Sequence, residues 1–313
     1  MVVGMVMAAT PSNACLWDRD TLAAEQARFP ETAQLITGTF PRHSREFHEW
    51  RAKECLKLID AGADVPSTHD DLAVSQHKLG DHKAAIATMM RKEKLFPGQY
   101  ETYSNLGTFY IYTGQLEDAM KHIRKALAIN ENAHFGREKY QLWLVEWLQS
   151  RKQPDPKDEL SGIEIFEGKA RGFAQFLSTH AGLNEKERGT AVRGVLGMMW
   201  FADHNNPLLL EALGDLLVFG PQETNAAQLA GLSYLHAARM TKDETEKARL
   251  TRLSEIAVSM TYGFEENGRL ASLLDRGLAK GREYMEQVRK DEMEWIAAGE
   301  DAAALFQKKY LTR

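Results

Sequence analysis

The side chains able to do chemistry are dispersed along this chain, and their spacing argues against catalysis. Ten histidines occur. His43 and His48 stand five apart, as do His77 and His82. Two ligands on one helix face need a separation of three or four. Gly80 also interrupts the helix between His77 and His82. Solvated or capping roles therefore fit these residues, and no metal site is expected. His204-Asn205-Asn206-Pro207 reads as a helix-ending turn. There is no G-x-S-x-G elbow, no H-E-x-x-H and no glycine-rich phosphate loop. Cys15 and Cys55 cannot form a C-x-x-C centre. They read as two independent thiols, with a single bridge between them left open. Cys55 lies on an apolar helix face, which suits a core residue better than a nucleophile. Carboxylate pairs are as frequent as any charged helix surface supplies and carry no catalytic information. Trp143 and Trp147 are four apart, a packing spacing. The expectation is a non-enzymatic protein without cofactors.

The bulk numbers narrow the partners. A formal net charge of −5 gives no general electrostatic case for nucleic acid. A composition of 43% hydrophobic and 27% charged residues is that of an ordinary folded chain. No segment approaches the roughly 18 apolar residues a membrane span needs. Residues 1–14 are apolar to Ala9 and then small and turn-forming. They read as the end of an export signal cleaved after Ala14, although the run is short and the first basic residue is Arg19. Periplasm or cell envelope is thus the expected location, with cytoplasm as the alternative. Lipidation at Cys15 is disfavoured, because Ser12 stands where an aliphatic residue belongs.

The organisation behind these residues is repetitive. Aligning 66–99 with 100–133, a shift of 34 residues, places Leu72 on Leu106, Ala73 on Gly107, Gly80 on Gly114, Ala85 on Ala119 and Met89 on Ile123. Tyr103, Leu106 and Tyr110 form one helix face. Gly107 and Ala119 lie where two helices must cross closely. Gly80 and Gly114 end first helices in a left-handed turn, and Pro97 closes a second one. Upstream, Ser44 to Ile59 reads as a helix packing in front of the first repeat, and a short helix is expected from about Asp20 to Phe29. Residues 134–150 read as a capping helix over the second repeat, through Tyr140, Leu144, Trp147 and Leu148. Two prolines, a glycine and six charges in 151–162 mark a linker. Beyond it, 163–313 reads as a C-terminal helical lobe. That lobe contains a degenerate repeat over 207–240 and long helices over about 243–260 and 266–298.

The pattern Y-x2-L-G-x2-Y-x3-G-x4-A-x3-I-x2-A from Tyr103 to Ala126 resembles the tetratricopeptide repeat. The first copy departs from it at Lys92, where a small residue is usual, and at Gln76, where an aromatic is usual. CLWDRDTL at 15–22, the stretch from Leu72 to Gln141 and GVLGMMWF at 194–201 together resemble exported bacterial tetratricopeptide proteins of planctomycete type. The resemblance implies an all-α, tetratricopeptide-like helical solenoid with an additional C-terminal helical lobe, and an exported compartment. It implies no activity. It also implies an inner groove supplied by the first helix of each pair. The groove positions are Asp70, Val74 and His77 in the first copy, Glu101, Ser104, Asn105, Thr108, Ile111 and Tyr112 in the second, and Glu138 and Leu142 in the capping helix. Their mixture of acidic, hydroxyl and apolar groups suits an extended protein or peptide partner. A groove filled by the chain's own N-terminal segment is the equal alternative. Asn105 and Lys139 match two positions of the carboxylate clamp of chaperone-binding relatives, but Asp70 would repel the carboxylate. The function expected is a protein-binding scaffold. The alternatives are a structural subunit that binds through its outer face, and an enzyme or cofactor protein with a site between the lobes.

Overall fold

The computed structural model describes residues 16–19, 21, 24, 29–131, 136–151, 170–219, 225–262 and 267–312. Within them every regular element is a helix. The first seven are α1 (Thr32–Thr37), α2 (Arg45–Asp60), α3 (Pro66–Lys78), α4 (His82–Leu95), α5 (Tyr100–Tyr112), α6 (Leu116–Ile129) and α7 (Arg137–Ser150). After the next described stretch begins come α8 (Gly172–Ala181), α9 (Arg188–Phe201), α10 (Pro207–Val218), α11 (Ala226–Met240), α12 (Glu244–Tyr262), α13 (Asn267–Ala297) and α14 (Ala302–Phe306). Sequence neighbours pack on one another from α2 to α7, and α9 to α12 continue the stack, with α7 laid against α9.

Local chemistry sets the helix ends. The side chains of Ser44, Asp81 and Asn206 accept hydrogen bonds from the first free amides of α2, α4 and α10. Pro66 and Pro207 occupy first turns, where no amide proton is required. Gly80 and Gly114 adopt φ of 90° and 74° and turn the chain between the helices of each pair, as their spacing predicted. At the crossings, small residues admit the partner helix. A Cβ on Gly107 would stand 2.6 Å from Ile123 Cγ1, and one on Gly214 would stand 2.6 Å from the buried ring of Tyr234. The α10–α11 pair, which falls within the degenerate copy expected over 207–240, thus has a close glycine contact like that of α5 with α6.

The capping helix faces two ways. Val145 and Leu142 close the second repeat by packing with Ile111, Ala119 and Ile123. Tyr140, Leu144 and Trp147, expected on that same side, lie instead in the core of the C-terminal half with Phe173, Val195 and Leu213. That core also takes in Leu35, Ile36 and Phe40, so one apolar cluster joins residues on both sides of 152–169. The linker expected over 151–162 falls outside the described residues except for Arg151, which hydrogen-bonds Glu211 and Glu246. Of the helix expected over 20–29, Thr21 and Ala24 are described as helical. The signal segment 1–14 and Cys15 also lie outside the described residues.

The long helix α13 runs back to the beginning of the chain. A Cβ on Gly281 would overlap Thr37 O, so only glycine permits this approach to α1. Further along, Glu292 accepts from Ser44 N at 2.8 Å and contacts His43 Nδ1 at 2.5 Å. A carboxylate at that place suits the positive end of α2.

Candidate functional site: the occupied groove and the cavity beside it

Residues 16–19 and Thr21 lie against the inner face of α3 and α5. Asn105 grips their backbone from both sides. Its Oδ1 accepts from Trp17 N at 2.8 Å and its Nδ2 donates to Trp17 O at 2.9 Å. Leu16 is buried among Val74, Met89 and Leu106. Burying one leucine yields about 2 kcal/mol, while ordering each residue of backbone costs about 1–2 kcal/mol. Polar contacts must therefore carry the rest of the segment. Asp18 Oδ2 accepts from Arg51 Nη2 at 2.8 Å, and Arg51 Nε donates to Ser75 Oγ at 2.7 Å. Arg19 donates to Asp71 from its backbone at 3.2 Å and from Nε at 2.6 Å. Burial raises Asp71, and the guanidinium groups of Arg51 and Arg19 oppose that rise. Thr21 closes the segment by donating to Asp18 Oδ1 through N and Oγ1.

The expected groove residues are placed as follows. Asp70 is buried and accepts from Lys92 Nζ with both oxygens at 2.7 Å. Burial pushes its carboxyl up to about 7 against the pull of the ammonium. Lys92, the departure from a small residue, thus reaches beneath α3 as the buried partner of Asp70. Val74 packs on Leu16. His77 lies between Phe109 at 4.9 Å and Tyr112 at 4.2 Å, with His82 at 4.7 Å. Burial holds His77 well below the usual histidine range, so it is neutral. Ser104 donates to Glu138 Oε1 at 3.4 Å, and Thr108 donates back to Ser104 O at 3.1 Å. Ile111 is core. Glu101, Tyr112 and Leu142 keep partial exposure.

Beside the groove, between the first repeats and the C-terminal half, is a cavity of about 300 Å³. Its walls combine Leu16, Asp18 and Thr21 of the N-terminal segment, Arg42 and His43 before α2, Val74 and Lys78 of α3, and the turn from Trp200 to His204. Lys78 Nζ donates to Phe201 O at 2.9 Å and Ala202 O at 2.7 Å, capping α9 across the two halves. Arg42 Nη1 donates to Gly38 O at 2.7 Å and lies over Phe40. Burial lowers Lys78 to about 8 and Arg42 to about 10, and Asp203 opposes both shifts. Lys78 counts as exposed by area, but it lines the cavity, and the surrounding protein still removes much of its hydration. Burial and the neighbouring Arg42 hold His204 well below its usual range. The sequence reading assigned no role to Arg42, Arg51 or Asp203 and took His204 for a turn. Lys92 was visible only as a misfit, and its complement, Asp70, was the available signal. Among the described residues no three His, Cys, Asp or Glu side chains gather as a metal-binding group. Cys55 is a buried free thiol that burial pushes up to about 12, so the thiolate chemistry of a nucleophile is suppressed.

Residues 100–132, which form α5 and α6, match the tetratricopeptide repeat family model. No curated protein matches the chain. Together with the stacked helix pairs, the match defines an all-α, tetratricopeptide-like solenoid. Repeats of this kind are typical of non-enzymatic protein-interaction scaffolds. Among the described residues, no helix is long and apolar enough to cross a membrane.

Proposed function

We propose that the protein is a non-enzymatic scaffold whose inner groove takes an extended peptide from a protein partner, with residues 16–19 as the resident occupant. The two-sided grip of Asn105 on Trp17 carries this reading. A side-chain amide that satisfies the N–H and C=O of one residue reads backbone, so it serves any extended strand whose flanking side chains fit. The flanking contacts define the preference, which is an apolar residue toward Val74 and a basic residue toward Asp71. Glu101, Tyr112 and Leu142 keep surface for a longer partner. The export signal read in residues 1–14, with the resemblance to exported planctomycete-type proteins, supports placement in the cell envelope.

A labelled peptide of residues 15–22, titrated onto a full-length variant with Leu16→Ser, Trp17→Gly and Arg19→Ser, tests the groove. Saturable binding in trans that Asn105→Ala abolishes is the expected result. No binding, or binding indifferent to Asn105→Ala, would transfer the function to the outer face.

A further inference from the structure

The cavity beside the groove contains two cations that have no carboxylate in ion-pair contact among the described residues. Arg42 and Lys78 line it, and their hydrogen bonds go to the backbone carbonyls of Gly38, Phe40, Phe201 and Ala202. Neither forms an ion pair among the described residues. The other charges of the wall do not cancel them. Asp18 is held by Arg51, and Arg45 is held by Glu49. Asp203 accepts from Asn205 N and is, among the described residues of the wall, the acid left facing the two cations. Setting aside the two paired sets, two positive charges against one negative leave an excess of one among the described residues. A charge excess in a partly buried wall attracts a counter-charge more strongly than it would in open water.

The rest of the wall is largely apolar, with Leu16, Val74, Trp200, Phe201 and Leu311. We propose that this cavity is a binding site for a small organic anion, a monocarboxylate on an apolar body, held by Arg42 and Lys78 with its apolar part against Leu16, Val74 and Trp200. The single excess charge selects a monoanion, the apolar wall selects the body, and the volume limits the size. Among the described residues the wall supplies no serine or cysteine, and the hydroxyl of Thr21 is committed to Asp18 and Leu16 O, so these residues hold the ligand rather than attack it. This site goes beyond peptide binding and does not depend on it, although Leu16 borders both.

Isothermal titration calorimetry of the full chain with sodium octanoate, 1-octanol and sodium phosphate tests the assignment. Octanoate should bind with a stoichiometry of one. Octanol should bind at least about tenfold more weakly, and so should octanoate to Arg42→Met or Lys78→Met, because each loses a charged hydrogen-bond donor. Lys78→Met also removes a helix cap. Ala202→Leu is therefore the second variant, since it fills the cavity and keeps both cations. It should abolish octanoate binding while the helical circular dichroism is unchanged. Four outcomes would overturn the proposal: no octanoate binding, equal affinity for octanol, phosphate binding as tight as octanoate, or octanoate binding that survives Ala202→Leu.

Discussion

Gly281→Ala and Gly268→Ala make the same substitution on the same helix, and the structure gives them opposite signs. At 281 the new Cβ would overlap Thr37 O and lie 3.1 Å from Gly38 C and 3.2 Å from Gly38 O. All three are backbone atoms, so relief requires lifting α13 off α1. Overpacking of this kind costs about 1–3 kcal/mol. Replacing a helical glycine by alanine gains about 1 kcal/mol. Three simultaneous backbone contacts place the cost at the upper end, for a net loss of about 2 kcal/mol. At 268 a Cβ meets nothing within 4 Å, so only the propensity gain remains, at most about 1 kcal/mol. Urea unfolding followed by far-ultraviolet circular dichroism should separate the two variants by about 3 kcal/mol, the sum of these two effects. If Gly281→Ala is as stable as the parent, or both substitutions shift the midpoint alike, α13 does not lie on α1 as described.

Two further outcomes concern buried charge. Lys92→Ala leaves Asp70 buried without its ammonium, which should cost about 3–5 kcal/mol, whereas Asp70→Asn with Lys92→Met should recover much of that loss. Because burial raises Asp70 from its ordinary 3.8 to about 7 even with Lys92 present, the folded Lys92→Ala variant holds a proton that its unfolded chain releases. Parent and variant both gain stability as pH falls from about 7 toward 3.8, and the variant, whose Asp70 lacks the opposing ammonium, begins to gain at a higher pH, so its deficit should shrink as pH falls toward about 7 and then stay constant, which denaturation series on either side of pH 7 would check. Octanoate affinity should weaken as pH rises through about 8, where Lys78 discharges while Arg42, lowered only to about 10, keeps its charge. Among the described residues the groups facing this pair include Asp18, Asp203, Arg45, Arg51, His43, His48, His204 and Tyr284, and calorimetry on either side of that pH is the check. A constant affinity would remove Lys78 from the ligand's surroundings.

What the sequence disclosed follows the range of the interactions involved. The repeats were legible because Gly107, Ala119 and the turn glycines act within one helix pair, so their spacing is a local signal. The pattern read over 207–240 was fainter, and Gly214 there opposes Tyr234, a larger partner than the Ile123 that faces Gly107. The face of α7 was misassigned because it carries apolar residues on two sides, and periodicity alone does not say which neighbour each side meets. Helices as short as Thr32–Thr37 carry too few turns to show a period. The N-terminal segment was visible as one of two candidate occupants of the groove. Its register was not, since Asn105 and Trp17 stand 88 residues apart and Arg51 and Asp18 stand 33 apart. The cavity was hidden for the same reason. Arg42, Lys78 and the Trp200–His204 turn come from three separate stretches, and none has a motif of its own.

The return of α13 to α1 and α2 changes how the array can come apart. An open solenoid frays from its outermost repeat, since that repeat has a neighbour on one side only. Here the last long helix is tied to the earliest packed ones through Gly281 on Thr37 and Glu292 on the start of α2. Neither α1–α2 nor α13 can peel away without breaking the seam that holds the other, so local opening at either is expected to be coupled to the other.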